Sequence, residues 1–243
     1  MRVNTDAVLL GAWMSLPSSD GARMLDIGTG TGVIALMAAQ RVSGMLSCAT
    51  IDAVEIDAQA CQDAKINFDN APWEGYRPNL YNCSIQEFAL KQQDVKYDFI
   101  FSNPPYFIDS LKNPDSSKTL ARHADTLTQA DLLLSVERLL NPGGKFALVL
   151  PKTEAEELLR KIDFLVKNSL GKERNVLCPV RVCKVKTTER KETKRYLMEF
   201  EYKVASQDYI KNINTINETL VMLNNGVYTN EYKKLTMDFY LYF

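Results

Sequence analysis

The sequence predicts an α/β fold built on a mainly parallel sheet, and three observations predict it. Short apolar strands alternate with helical stretches over most of the chain. A cluster of three glycines follows the first strand, and an Asn-Pro-Pro-Tyr segment follows the fourth. Such alternation implies parallel strands joined by right-handed crossovers.

Arg23-Met24-Leu25-Asp26-Ile27 is a brief apolar strand running into the glycines. Residues 32–41, rich in alanine, leucine and methionine, form a helix. Residues 49–56 read as a second buried strand, and 57–70 as a helix that opens on an acidic residue. Residues 79–83, 97–102 and 145–150 supply three more strands. Asn141-Pro142-Gly143-Gly144 is a turn that stops one helix and starts a strand. Residues 176–186 and 195–204 are β-branched, alternating runs that read as an antiparallel pair at the end of the sheet. The last forty residues have weak periodicity and receive no assignment.

A chain of 243 residues is long enough for one large α/β domain. With 46% apolar and 24% charged residues it is not a disordered chain. The net charge of −1 means that any nucleic-acid binding must rest on a local patch. One such patch spans residues 172–195, where nine lysines and arginines face three glutamates. The five cysteines (Cys48, Cys61, Cys83, Cys178 and Cys183) are scattered and accompanied by one histidine, so neither a zinc site nor a disulfide framework is expected. No membrane-length apolar run and no signal sequence are present, and a cytoplasmic monomer without metal is expected.

Asp26-Ile27-Gly28-Thr29-Gly30-Thr31-Gly32 lies where a strand ends and a helix begins. In open α/β sheets ligands bind at that crevice. Glycines there admit φ above zero and let the backbone approach a ligand closely. The G-x-G-x-G spacing, with an acid two residues upstream, suits a compact nucleoside with an amino-acid tail better than a pyrophosphate. Glu55, at the end of the second strand, can accept from both ribose hydroxyls, and Ile56 can pack on an adenine face. Dinucleotide enzymes also place an acid there, so Glu55 alone does not separate the two kinds of cofactor.

Asn103-Pro104-Pro105-Tyr106 emerges at the same sheet edge as the glycine loop. Its prolines stiffen the backbone and hold the Asn103 side-chain carbonyl and the Pro104 main-chain carbonyl as two fixed acceptors. Tyr106 adds an aromatic face. The chemistry that needs this set is methylation of an amide-like or aryl amino group, whose nitrogen lone pair is delocalised. Two acceptors on its N–H groups favour a pyramidal nitrogen and strengthen as positive charge develops there. The motif does not choose between adenine, guanine and a glutamine side chain.

These residues resemble the class I methyltransferases of the amino-methylating group: Asp26 to Gly32 is similar to their cofactor loop, Glu55 to their ribose-binding acid, and Asn103 to Tyr106 to their catalytic motif. The chain is similar in particular to the bacterial tRNA1(Val) adenine-N6 methyltransferases. That likeness is carried by Val3-Asn4-Thr5-Asp6-Ala7-Val8-Leu9-Leu10-Gly11-Ala12-Trp13, by Ala121-Arg122-His123 and by the tail Phe239-Tyr240-Leu241-Tyr242-Phe243. It implies a Rossmann-like sheet of seven strands, mostly parallel with an antiparallel final strand, and S-adenosylmethionine as cofactor. It implies tRNA as partner and adenine N6 as acceptor. A single domain over 1–243 is expected, with a lead segment at 1–22, a cofactor-binding core at 23–204 and an extension at 205–243.

Family members usually carry a basic, aromatic stretch before the lead segment, and the chain is expected to open inside that segment. Ser84 stands where the family often has an acid, so contact with the adenine amino group is expected from Ser84 or from backbone beside Ile85. Thr5 and Asp6 are candidates for capping the first helix and for facing the methionine end of the cofactor. Arg122 and His123 are candidates for contact with the substrate base or phosphate, and Trp13 and Trp73 are expected to be packing residues.

Overall fold

The computed structural model describes residues 4–92, 94–105, 127–204 and 215–242. β1 (Ala22–Ile27) is the strand around which the sheet assembles. It pairs in parallel with β2 (Ala49–Glu55) on one side and with β4 (Tyr97–Ser102) on the other. Alternate side chains of β1 serve two cores: Ala22 and Met24 pack on one face of the sheet, Leu25 and Ile27 on the other. β3 (Asn79–Asn82) lies outside β2, and β5 (Leu140–Pro151) outside β4. The sheet thus grows in opposite directions from β1, which opens a crevice between the ends of β1 and β4.

Beyond β5 the direction reverses. β7 (Thr193–Val204) runs antiparallel to β5, and β6 (Asn175–Thr188) antiparallel to β7, as the alternating runs predicted. The pair is not the end of the sheet, however. β8 (Ile216–Asn224) pairs in parallel with β6, and the two-residue β9 (Val227–Tyr228) follows it. The sheet therefore has nine strands in the order β3-β2-β1-β4-β5-β7-β6-β8-β9, where seven were expected. The additional two come from the tail that the sequence left unassigned. In β8 only Leu220 is buried, so its alternation carries little hydrophobic signal.

The Asn141-Pro142-Gly143-Gly144 turn falls within the span of β5. Leu140 pairs with Tyr97 and Lys145 with Phe99, so the four turn residues bulge opposite Asp98. Asn141 Nδ2 donates to Asp98 Oδ1 at 2.8 Å and holds the bulge to β4.

Helices cover both faces. On one lie α1 (Thr5–Trp13), α2 (Val33–Ser43), α3 (Ala58–Asp69) and α7 (Asn230–Thr236). On the other lie α4 (Ile85–Lys91), α5 (Gln129–Leu139) and α6 (Lys152–Asn168). α1 is apolar almost all round and is correspondingly buried, with Val8, Leu9, Leu10 and Trp13 in the core. Each such side chain contributes about 1.5–3 kcal/mol on burial. Gly11 lets α1 lie against α2, because a Cβ there would sit 2.6 Å from Met37 Sδ.

A polar knot fixes the end of α1 to the antiparallel strands. The Arg181 guanidinium stacks 4.1 Å from the Trp13 ring centre and donates from Nη1 to the Trp13 carbonyl at 2.9 Å. It also pairs with Glu218 of β8, whose Oε2 accepts from Trp13 Nε1 at 2.7 Å. Trp13 is thus a packing residue, as expected, and one strand of the tail holds the lead helix. Arg181→Ala should lower the unfolding free energy by about 2 kcal/mol, from the lost stacking and charge-assisted hydrogen bonds. Urea denaturation checks this against Lys161→Ala, which breaks an exposed helix ion pair and should change stability by less than about 0.5 kcal/mol.

Candidate active site

The ends of β1, β2 and β4 are tied together by hydrogen bonds that do not belong to the sheet ladder. Ser102 Oγ donates to the Ile27 carbonyl at 2.8 Å, so β4 ends level with β1. Gly28 and Thr29 donate their backbone N–H groups to the Val54 carbonyl, at 2.9 and 3.1 Å, which folds the glycine loop over the end of β2. Gly30 then donates its N–H to Glu55 Oε2 at 2.8 Å, while Asp57 N–H donates to Glu55 Oε1 at 2.9 Å. Gly28, Gly30 and Gly32 have φ of 69°, 58° and 84°, values that L side chains rarely adopt. At Gly32 a Cβ would also lie 2.3 Å from the Phe68 ring.

These loops enclose a cavity of about 700 Å³ lined by Gly28, Gly30, Glu55, Ile56, Ser84, Ile85, Asn103, Pro104 and Pro105, among others. It brings the residues expected to hold a cofactor beside those expected to hold an amino group. Ile56 is exposed along it and offers an apolar surface. Ser84 caps α4, accepting from Glu87 N–H at 3.2 Å, and Asp57 caps α3 in the same way from Ala60 N–H at 2.7 Å. Pro104 is buried and Pro105 exposed, so the segment leaves the sheet edge braced on one side.

Three expected residues do not line the cavity. Gly32 packs against Phe68 behind the loop, and Asp26 is fully buried beneath it. Thr5 is exposed at the start of α1 and is not its cap. The cap is Asn4, whose Oδ1 accepts from Ala7 N–H at 2.7 Å. The same oxygen accepts from Asn103 Nδ2 at 3.4 Å, which leaves the Asn103 carbonyl oxygen to serve as an acceptor. Asn4 and Asp6 line the cavity in place of Thr5, and Asp6 Oδ2 accepts from Arg195 Nε at 2.7 Å. Asn4, Thr5 and Asp6 are all capping types, threonine being the weaker, and residue type does not separate Asn4 from Asp6. Tyr106, Arg122 and His123 lie outside the described residues.

The charge of the cavity's described lining bears on the two cofactor classes that Glu55 alone does not separate. That lining includes the carboxylates of Asp6, Glu55, Asp57 and Asp63 and no lysine or arginine. Such a wall favours a cationic ligand and opposes a pyrophosphate. Among the described residues no group of three potential metal ligands occurs, and no helix is long and apolar enough to cross a membrane.

Comparison with known proteins agrees with this geometry. Residues 18–217 match the family model described as a methyltransferase domain. A relative from Bacteroides fragilis, named tRNA1(Val) (adenine(37)-N6)-methyltransferase, is 42% identical over 99% of this chain and 91% of its own. A relative of the same name from Parabacteroides distasonis is 40% identical with the same coverage. The chain belongs to the tRNA1(Val) (adenine(37)-N6)-methyltransferase family. The fold has solved counterparts. A predicted O-methyltransferase from Agrobacterium tumefaciens superposes with a TM-score of 0.65 at 14% identity, over 96% of each chain. A putative class I S-adenosylmethionine-dependent methyltransferase from Listeria monocytogenes gives 0.57 at 15% identity, over 88% of this chain and 62% of its own. The class I methyltransferase fold expected from the sequence is the fold observed.

Asp26 is the strained group of this family's loop in the present chain. Burial pushes its carboxyl up from 3.8 to about 7, against the Thr29 hydroxyl and the Ala35 amide, which favour the ionised form. Thr29 Oγ1 donates to Oδ2 at 2.6 Å, whereas Oδ1 has no hydrogen-bond partner among the described residues. The folded protein therefore holds this proton more tightly than the unfolded chain. Its contribution to stability is complete below about pH 4 and is lost as pH rises through about 7. Asp26→Asn should melt higher than the parent at pH 8, by on the order of 2 kcal/mol, with the advantage smaller at pH 5 and gone only below about pH 4. Thermal denaturation of the ligand-free proteins at both pH values checks it.

Proposed function

We propose that this chain transfers the methyl group of S-adenosylmethionine to the N6 amino group of adenosine 37 in a valine tRNA. One observation carries the chemistry: the glycine loop and Glu55 open on the same acid-lined cavity as Asn103 and Pro104. The names of the relatives supply the target. The reading treats residues 1–243 as one domain, supported by the packing of α1 and β8 against the remaining strands.

The cofactor residues fit a sulfonium nucleoside. Gly28 and Gly30 would let the backbone approach its amino-acid tail. Glu55 is held by Gly30 and Asp57, yet each carboxylate oxygen keeps acceptor capacity for a ribose hydroxyl. Ile56 would cover one adenine face, and Ser84 and Ile85 would meet its edge. Bound there, S-adenosylmethionine supplies an electrophilic methyl group.

The protein's part is to present the amino nitrogen. Asn103 Oδ1 and the Pro104 carbonyl accept its two N–H groups, so the lone pair is released from the ring and directed away from both acceptors. Their pull grows as the nitrogen becomes positive, which lowers the barrier selectively. Rigid placement supplies part of the rate, and Ser102 and Asn4 secure that placement from either side. The extra proton leaves after the nitrogen–carbon bond forms, so no general base is needed. In this reading Tyr106 stacks the target base, which recovers about 1–3 kcal/mol against the cost of turning the nucleotide out of its loop. Arg122 and His123 contact the same RNA.

Incubation with labelled S-adenosylmethionine and separate pools of tRNA, rRNA and protein tests the assignment. Label should appear as N6-methyladenosine in tRNA; label in 2-methylguanosine or in protein glutamine would refute it. Asn103→Ala should retain cofactor affinity while kcat falls by about a hundredfold or more, as for loss of one oriented transition-state partner.

A further inference from the structure

The β6–β7 hairpin carries its charge at a place that the topology makes functional. β4 and β5 are parallel and end at the catalytic edge, with Ser102 the last residue of β4. β7 runs the other way, so it begins at that edge, where Arg195 pairs with Pro151. β6 ends there too, and so does β8, with Thr188 opposite Leu223. The hairpin tip therefore projects beside the opening of the cavity rather than at the far end of the sheet. It lies three strands from Asn103, which is about 14 Å at the usual strand spacing.

A shallow groove at this tip is lined by Lys152, Lys184, Lys186, Arg190 and Lys191. Lys184 and Lys186 share one face of β6, and the start of α6 brings Lys152 to the same side. Two carboxylates also line it, and both are weakly held. Glu192 meets Lys152 at 3.5 Å and Glu189 meets Lys186 at 3.5 Å, while both glutamates remain more than three-quarters exposed. Such pairs are worth little and reorganise readily. Arg190 and Lys191 stand exposed at the turn, which is closed by Lys191 N–H donating to the Thr188 carbonyl at 3.0 Å. Arg195, at the start of β7, stands between this hairpin and the cavity, its guanidinium bonded to Asp6 of the cavity wall.

We propose that this groove binds the sugar-phosphate backbone of the tRNA next to the nucleotide held in the cavity. The proposal rests on the tRNA reading above and adds the surface that grips the substrate. Cations clustered on an otherwise neutral protein, on the edge where the acceptor enters, match a ribose-phosphate chain running past the site. The acid-lined cavity would repel phosphate, so backbone contacts have to be made outside it. The hairpin supplies them. Contacts of this kind position the RNA and carry no sequence information themselves.

The test compares two triple variants of the full chain. One is Lys184→Gln with Arg190→Gln and Lys191→Gln, in the groove. The other is Lys96→Gln with Lys145→Gln and Lys172→Gln, at the opposite edge of the sheet. Binding of a transcribed valine tRNA is measured by filter retention across a salt series, separately from turnover. The groove variant should bind at least about tenfold more weakly near 0.1 M salt, and its log–log salt slope should be shallower by about two, for three lost phosphate contacts. Its affinity for S-adenosylmethionine and its kcat at saturating tRNA should match the parent, and the opposite-edge variant should bind as the parent does. An unchanged groove variant, an equal loss in both variants, or no tRNA binding by the parent overturns the proposal. Methylation by the parent is scored on its own, so a wrong acceptor base and a wrong binding surface give different results.

Discussion

The hydrogen bond from Gly30 N–H to the Glu55 carboxylate is the contact on which the site depends. It joins the glycine loop of one strand to the end of its neighbour, and the second carboxylate oxygen carries the connection on to Asp57 and the start of α3. With Ser102 bonded to Ile27, three parallel strands are closed at one level. Everything proposed for the chemistry follows from that level edge. Cofactor loop, ribose acid and amino-group acceptors can meet in one cavity only because their strands stop together. The arrangement is possible only where the chain reverses the direction of sheet growth, between β1 and β4.

Charge divides the edge into two working parts. The described cavity wall carries four carboxylates, which suits a sulfonium and an ammonium and disfavours phosphate. The hairpin three strands away is basic, which suits the RNA backbone. Arg195 and Asp6 meet at the border between them, at 2.7 Å. The near-zero net charge of the chain conceals both, because it sums 29 lysines and arginines against 30 acids over the whole sequence. Asp26 shows what the acidic side costs: a carboxyl buried beneath the loop with one oxygen unpartnered among the described residues.

Much of this was legible in the sequence, for physical reasons that differ by element. The parallel strands carry short continuous apolar runs because both faces are buried, and the glycine loop and the Asn-Pro-Pro-Tyr segment are constrained by backbone geometry that few residues satisfy. β8 was illegible because it lies near the sheet edge, with a single buried residue and with Glu218 turned to Arg181 and Trp13. Asn4 was illegible because three successive residues could each have capped α1, and packing of the helix against the sheet decides where it starts. The turn at Asn141 to Gly144 reads as the stop of a helix and the start of a strand because proline and two glycines normally interrupt a ladder, yet the strand already pairs at Leu140. Here the ladder resumes on both sides of the bulge. The acidic character of the cavity was also hidden, since Asp6 comes from the first helix while Asp57 and Asp63 come from the cap and first turns of α3.

In the proposed mechanism Glu55, fixed by two backbone donors, holds the nucleoside end of the cofactor. Calorimetric titration with S-adenosylhomocysteine, which lacks the transferable methyl group, tests it most directly on the parent and on Glu55→Gln. The amide would set an N–H against one of the two backbone N–H donors and would remove the carboxylate charge. The parent should bind stoichiometrically and the variant at least about tenfold more weakly, with the fold retained. Equal affinity in the two proteins would contradict that role.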